Sequence, residues 1–88
     1  MPEQSPAAEP AEIVATRRFA FHLHHHRSKQ GLSQEALGKM AGIRQAEVSK
    51  LEKALKLENP PVPSLGTVAR CAAALGEDIT TLLQIHEE

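Results

Sequence analysis

GLSQEALGKMAGIRQAEVSKLE, residues 31–52, reads as two short helices with a tight turn between them. Ser33 is placed to cap the first, its hydroxyl available to the open N–H groups of the next turn. The run QEALGKM (34–40) sets Leu37 and Met40 three apart on one face, and Gly42 follows as a terminator. A further helix starts at about Arg44 or Gln45, with Val48 and Leu51 as its apolar pair. Roughly four residues join the two helices, glycine among them, and such a link makes them cross steeply so that the second stands out as a rod. Gly38 and Ala41 supply the small side chains needed where the helices touch. Gln45, Glu47, Ser49 and Lys50 give the rod a short polar outer face. An α-helix of that kind fits the major groove of B-DNA, where each base pair shows its own pattern of donors and acceptors.

Upstream, the helical pattern begins at Ile13 with Phe19 and Leu23 four apart, and Gly31 closes it as a left-handed cap. Residues 1–12 (MPEQSPAAEPAE) hold three prolines and almost no large apolar side chain, so that lead is expected to be disordered. Downstream, NPPVP (59–63) stops any helix. Ser64 caps a fourth helix with Leu65, Val68, Ala69, Ala72 and Leu75 as its buried stripe, and Gly76 ends it. Asp78 caps a short fifth helix that turns Ile79, Leu82 and Leu83 inward. The expectation is a single all-α, five-helix domain over residues 13–88.

The net charge of −1 argues against a nucleic-acid partner until its distribution is considered. Between Ile13 and Leu57 lie nine bases (Arg17, Arg18, Arg27, Lys29, Lys39, Arg44, Lys50, Lys53, Lys56) against three acids (Glu35, Glu47, Glu52), a surplus of six. The remaining acids cluster towards the two ends, and a basic middle suits a partner carrying phosphates, although an ordinary solvated surface has the same composition. Phe19 and Phe21 are the only aromatic residues of the Phe, Trp and Tyr set, which disfavours modules that stack bases on rings. Cys71 is the only cysteine, so no intramolecular disulfide forms and a reducing cytoplasm is the simplest compartment. No apolar run approaches a membrane span, and no secretion signal opens the chain.

The 31–52 stretch resembles the helix-turn-helix of the lambda- and Cro-type repressors, the Xre-like family. GLSQEAL is similar to the family's G-L-S/T-Q-x-x-L, VSKLE to its I/V-S-x-x-E, and PSLGTVARCAAALG with DITTLL to its P-S-x-x-T-L…A-x-A-L-G…L-L tail. The likeness runs from about Ile13 to Ile85. It implies a lambda repressor-like DNA-binding domain in which Gln34 bonds a DNA phosphate and supports the first residue of the recognition helix. Gln45 falls on the position that reads adenine through a bidentate amide. Ala46, Glu47, Ser49 and Lys50 fall on the other base- or phosphate-facing positions, Ala46 suited to a thymine methyl and Glu47 to a cytosine amino group. Arg27 and Glu52 match a structural salt bridge between the first and third helices.

Three positions depart from that pattern. Gly38 stands where alanine is usual, costing about 1 kcal/mol of helix propensity while staying small. Arg44 replaces the usual Ser or Thr cap, weakening the cap and adding a positive charge beside the phosphates. Ala54 replaces a glycine stop, so the recognition helix is expected to run on toward Leu57 or Asn59. In the family the following loop nears the DNA backbone, which makes Lys53 and Lys56 phosphate candidates. Leu55, Leu57 and Val62 read as additional core, with a protein-binding ridge as the alternative.

His22 and His26, spaced i,i+4 in HLHHH (22–26), have the spacing of a metal pair. Zinc wants three or four ligands, and with no CxxC or HExxH elsewhere the cluster reads as an exposed, partly titrating helix face. Its imidazoles would strengthen phosphate attraction when protonated. Cys71 reads as packing rather than redox chemistry. No catalytic motif appears, and no cofactor is implied. The expected function is a transcriptional regulator, most simply a repressor, that binds double-stranded DNA as a homodimer, since one domain offers too few base-reading side chains. An antitoxin that neutralises a toxin protein and represses its own operon is the alternative, and a protein-interaction module without DNA contact is a third reading.

Overall fold

Five helices follow one another in the computed structural model, which describes residues 9–83: α1 (Ala11–Lys29), α2 (Gln34–Ala41), α3 (Gln45–Lys53), α4 (Leu65–Leu75) and α5 (Ile79–Leu82). No strand occurs among the described residues. Helix α1 starts two residues ahead of the pattern that began at Ile13, with Pro10 before its first turn. Most of the lead expected to be disordered lies outside the described residues. Within them, Glu9 is held on α1 by the Arg17 guanidinium at 2.6–3.1 Å.

The punctuation of the chain is local chemistry. Ser33 and Ser64 accept from the backbone N–H groups of Ala36 and Thr67, at 3.0 and 3.1 Å, and so open α2 and α4. Gly31, Gly42 and Gly76 all adopt positive φ. Each lets the next residue's N–H reach back to a carbonyl in the preceding helix: Leu32 to Arg27, Ile43 to Gly38 and Glu77 to Ala72. Asp78 occupies the N-cap position of α5 but makes no side-chain capping bond.

Phe19, Leu23, Leu37, Ala41, Val48, Leu51, Val68, Cys71, Ala72, Leu75 and Leu82 form one buried cluster, with Ile79 and Leu83 packed against it. Three residues of the expected helix stripes are outside it: Met40, Leu65 and Ala69. Met40 is 53% exposed because α2 turns Leu37, Gly38 and Ala41 inward, the small residues letting α3 and α4 approach. Leu65 is 71% exposed: it lies on the buried stripe of α4 but in the first turn, beyond the body of the bundle. Ala69 is half-buried, while Cys71 is fully buried. Burial first, then the carboxylates of Glu47 and Glu52, push its thiol up to about 11, so Cys71 is packing.

His22 also differs from expectation. It is buried, and His26 is half-buried with Nδ1 3.7 Å from a Glu77 carboxylate oxygen. This part of α1 faces the body of the protein, so HLHHH is not one solvated face. No cluster of three or more metal-ligating side chains occurs among the described residues, and no helix there is long and apolar enough to cross a membrane.

Candidate nucleic-acid interface

Val48 and Leu51 root α3 in the core, and the 100° step per residue then dictates what the opposite side displays. Gln45, Ala46, Lys50 and Lys53 are exposed, with Ser49 half-buried between them. Glu47 and Glu52 take the two flanks, both half-buried. Glu47 therefore stands at the edge of the outer face, beside Arg44, Lys50 and Thr67 around a shallow depression. Arg44 precedes the helix in extended conformation, exposed and without a side-chain capping bond, in keeping with its replacement of a Ser or Thr.

The charge of this face follows from its partners. Glu52 is tied inward, its Oε2 accepting from Arg27 Nε at 2.6 Å and its Oε1 from Arg27 Nη2 at 3.0 Å. Gln34 Nε2 donates to the same Oε1 at 3.1 Å, and His24 Nδ1 lies 3.3 Å from it. Burial pushes the Glu52 carboxyl up, but the hydrogen bonds from Arg27, Gln34 and His24 outweigh it and hold the group below the usual carboxylate range. With Glu52 neutralised by Arg27, the exposed cations Arg44, Lys50, Lys53 and Lys56 dominate the face. Gln45 Nε2 donates to Gln34 Oε1 at 3.4 Å, joining the first residues of α2 and α3.

The end of α3 departs from expectation. The helix stops at Lys53 and does not continue toward Leu57 or Asn59, although no glycine ends it. Arg17 supplies the stop. Its Nη1 donates to the carbonyls of Ala54, Leu55 and Leu57, and its Nη2 to that of Glu58. The guanidinium thus gathers carbonyls of the turn just beyond Lys53, at the negative end of the helix dipole. The chain turns under it, burying Ala54 and leaving Leu55, Leu57 and Val62 exposed rather than in the core. Lys56 remains on the α3 side, sharing a cavity of about 300 Å³ with His24, Gln34, Ser49 and Lys53. Sequence reasoning missed Arg17 because its acceptors lie 37–41 residues away. It also missed His24, for which a signal existed: three residues before Arg27, it shares that residue's helix face.

A compact helical body that holds out a short polar and cationic helix across a glycine turn is the build of a DNA-binding regulator. The chain belongs to the helix-turn-helix (HTH_3) family of DNA-binding transcription regulators, which it matches over residues 26–82. A hypothetical transcription factor from Neisseria, NHTF, is 28% identical, with a TM-score of 0.71, over 92% of this chain and 87% of its own. The restriction-modification controller protein C.AhdI from Aeromonas hydrophila is 27% identical, with a TM-score of 0.65, over 76% of this chain and 94% of its own. An HTH_3 family transcriptional regulator from Vibrio cholerae shares the fold at 19% identity and a TM-score of 0.68, over 82% of this chain and 38% of its own. No curated protein matches the chain.

Proposed function

We propose that this protein is a sequence-specific regulator of transcription that lays α3 in the major groove of double-stranded DNA. The observation that carries this reading is the outer face of α3, where Gln45, Ala46, Ser49 and Lys50 stand clear of the core with Gln45 bonded to Gln34. Gln45, Ala46, Glu47, Ser49 and Lys50 read base edges, Glu47 from the rim. Gln34, Arg44, Lys53 and Lys56 hold the phosphates, and Arg27 with Glu52 braces the helix from behind. Two copies pair about a two-fold axis, so the operator has half-sites about 34–36 Å apart or a multiple of that spacing. Repression by occupancy, in the cytoplasm, is the simplest mode of action. Two of the similar structures, named as a hypothetical transcription factor and a restriction-modification controller protein, support a regulatory role.

Selection of duplexes from a random pool tests the reading. Wild-type protein enriches one two-fold-related motif. Gln45→Ala then costs about 1–3 kcal/mol and relaxes preference at a single base pair in each half-site. Lys53→Ala weakens binding to every sequence alike and lowers the salt slope by about one unit. Failure to enrich any motif at low salt overturns the proposal. The exposure of Leu55, Leu57 and Val62 favours one second reading, an antitoxin whose toxin partner covers that ridge. A partner protein that co-purifies with the wild type and is lost on Leu57→Asp supports it.

A further inference from the structure

The Glu52 cluster has a directionality that the ion pair alone does not require. A carboxylate only accepts hydrogen bonds, so Gln34 turns its NH2 group toward Glu52 Oε1, 3.1 Å away. That leaves Gln34 Oε1 facing Gln45, which donates one N–H to it at 3.4 Å. Gln45 is then left with its own oxygen and its second N–H, one acceptor and one donor side by side. Adenine presents the complement in the major groove, an N6 donor beside an N7 acceptor. Glu52 thus sets the polarity of an amide relay that ends at the groove.

His24 sits at the other end of this relay. Its Nδ1 is 3.3 Å from Glu52 Oε1 and 3.2 Å from Arg27 Nη2, a group that only donates. With Nδ1 unprotonated, the ring accepts from Arg27 and leaves Glu52 Oε1 to Arg27 and Gln34. With Nδ1 protonated, it points a hydrogen at Oε1 as a third donor on an oxygen with two lone pairs, and sets a cation against Arg27. The charged groups around the ring are Arg27 on its own helix, Glu52 and Lys53 on α3, and Lys56 in the turn beyond. His24 is 61% exposed at its side chain, so protons reach it freely.

From this geometry we infer that His24 is a positioning residue for base recognition, whose protonation loosens Gln34 from Glu52 and thereby releases Gln45. The inference rests on the proposed reading of Gln45 as a base contact. Its direction is distinctive. Protonated imidazole beside Lys53 and Lys56 attracts phosphates, so acid tightens binding to any duplex. The same proton lowers discrimination at the base pair that Gln45 reads.

The test has two arms. In the free protein, nitrogen-edited spectra are followed from about pH 8 to about pH 5, the range in which histidines titrate. The side-chain NH2 signals of Gln34 and Gln45 move with the midpoint of the His24 ring. They stay fixed in His24→Asn, and His25→Asn behaves as wild type. Fixed amide signals in the wild type, or equal movement in His24→Asn, overturn the inference. In the second arm, the affinity ratio between the selected duplex and one altered at the Gln45 base pair falls several-fold between about pH 8 and pH 6. That ratio is constant in His24→Asn. A constant ratio in the wild type, with the amides moving, overturns the specificity role. A protein that binds no duplex refutes the DNA reading, while the amide titration still decides the relay.

Discussion

At Gly38 an added methyl would lie 2.8 Å from the carbonyl oxygen of Ile43 and 3.3 Å from the nitrogen of Gln45. Both atoms belong to the backbone of the turn that aims α3, and backbone cannot rotate out of the way as a side chain does. Alanine is the better helix former by about 1 kcal/mol. The clash is expected to outweigh that gain, so Gly38→Ala should lose about 1–3 kcal/mol, as overpacked cores do. Urea titration measures it, and a variant as stable as the wild type would mean that α2 moves aside at no cost. The need for a small residue at 38 was legible in the sequence, since helices so closely linked must touch. How tightly the turn closes on it was not, because the distance from Gly38 to Ile43 O exists only once the turn has formed. His22 was misread for a related reason. It lies at the edge of α1's apolar stripe, where a neighbour's packing rather than spacing decides burial.

Among the elements, α2 was the most legible, because its ends are set by residues a few positions apart: Ser33 with Ala36, and Gly42 with the Ile43–Gly38 bond. The end of α3 was not. Nothing in LEKALKLENPPVP (51–63) marks a stop at Lys53, since the stop is a side chain from α1. Removing that side chain should therefore act on the turn and spare the helix before it. In Arg17→Met the backbone over residues 54–58 should become mobile on the picosecond–nanosecond scale, read as reduced heteronuclear NOE values, while the amides of Val48 and Leu51 keep their exchange protection. An unchanged turn would show that Pro60 and Pro61 suffice to hold it. The exposed Met40 and Leu65 belong to this scale too. A helix of two turns admits more than one apolar stripe, and a first-turn position on the right stripe can still project beyond the bundle.

For the molecule as a whole, one hydrophobic cluster joins all five helices, and its members Phe19, Leu23, Val48, Leu51, Val68, Ala72, Leu75 and Leu82 were readable from helical periodicity. What periodicity does not supply is the polar tie behind α3. Glu52 links α3 to Arg27 on α1 and Gln34 on α2, with its side chain only 8% exposed, so its ionisation is coupled to folding. Its folded-state carboxyl titrates below the usual range, so its contribution is fully present above the unfolded value of about 4.3. That contribution is lost as pH falls through the lower folded value. Glu9 is held low by Arg17 and titrates in the same acid window, but it pairs at the solvent-exposed start of α1, where screening weakens it. Glu52→Gln keeps the size and one acceptor oxygen while removing the charge, and should cost about 1–3 kcal/mol at pH 7, the range for a hydrogen-bonded charged group. The same variant should lessen the stability loss that the wild type shows as pH falls below the unfolded carboxyl value of about 4.3. Urea midpoints at neutral and at acid pH measure both effects. A wild-type acid slope carried over intact into Glu52→Gln would place the acid sensitivity elsewhere and reduce the Glu52 tie to a contact that folding does not depend on.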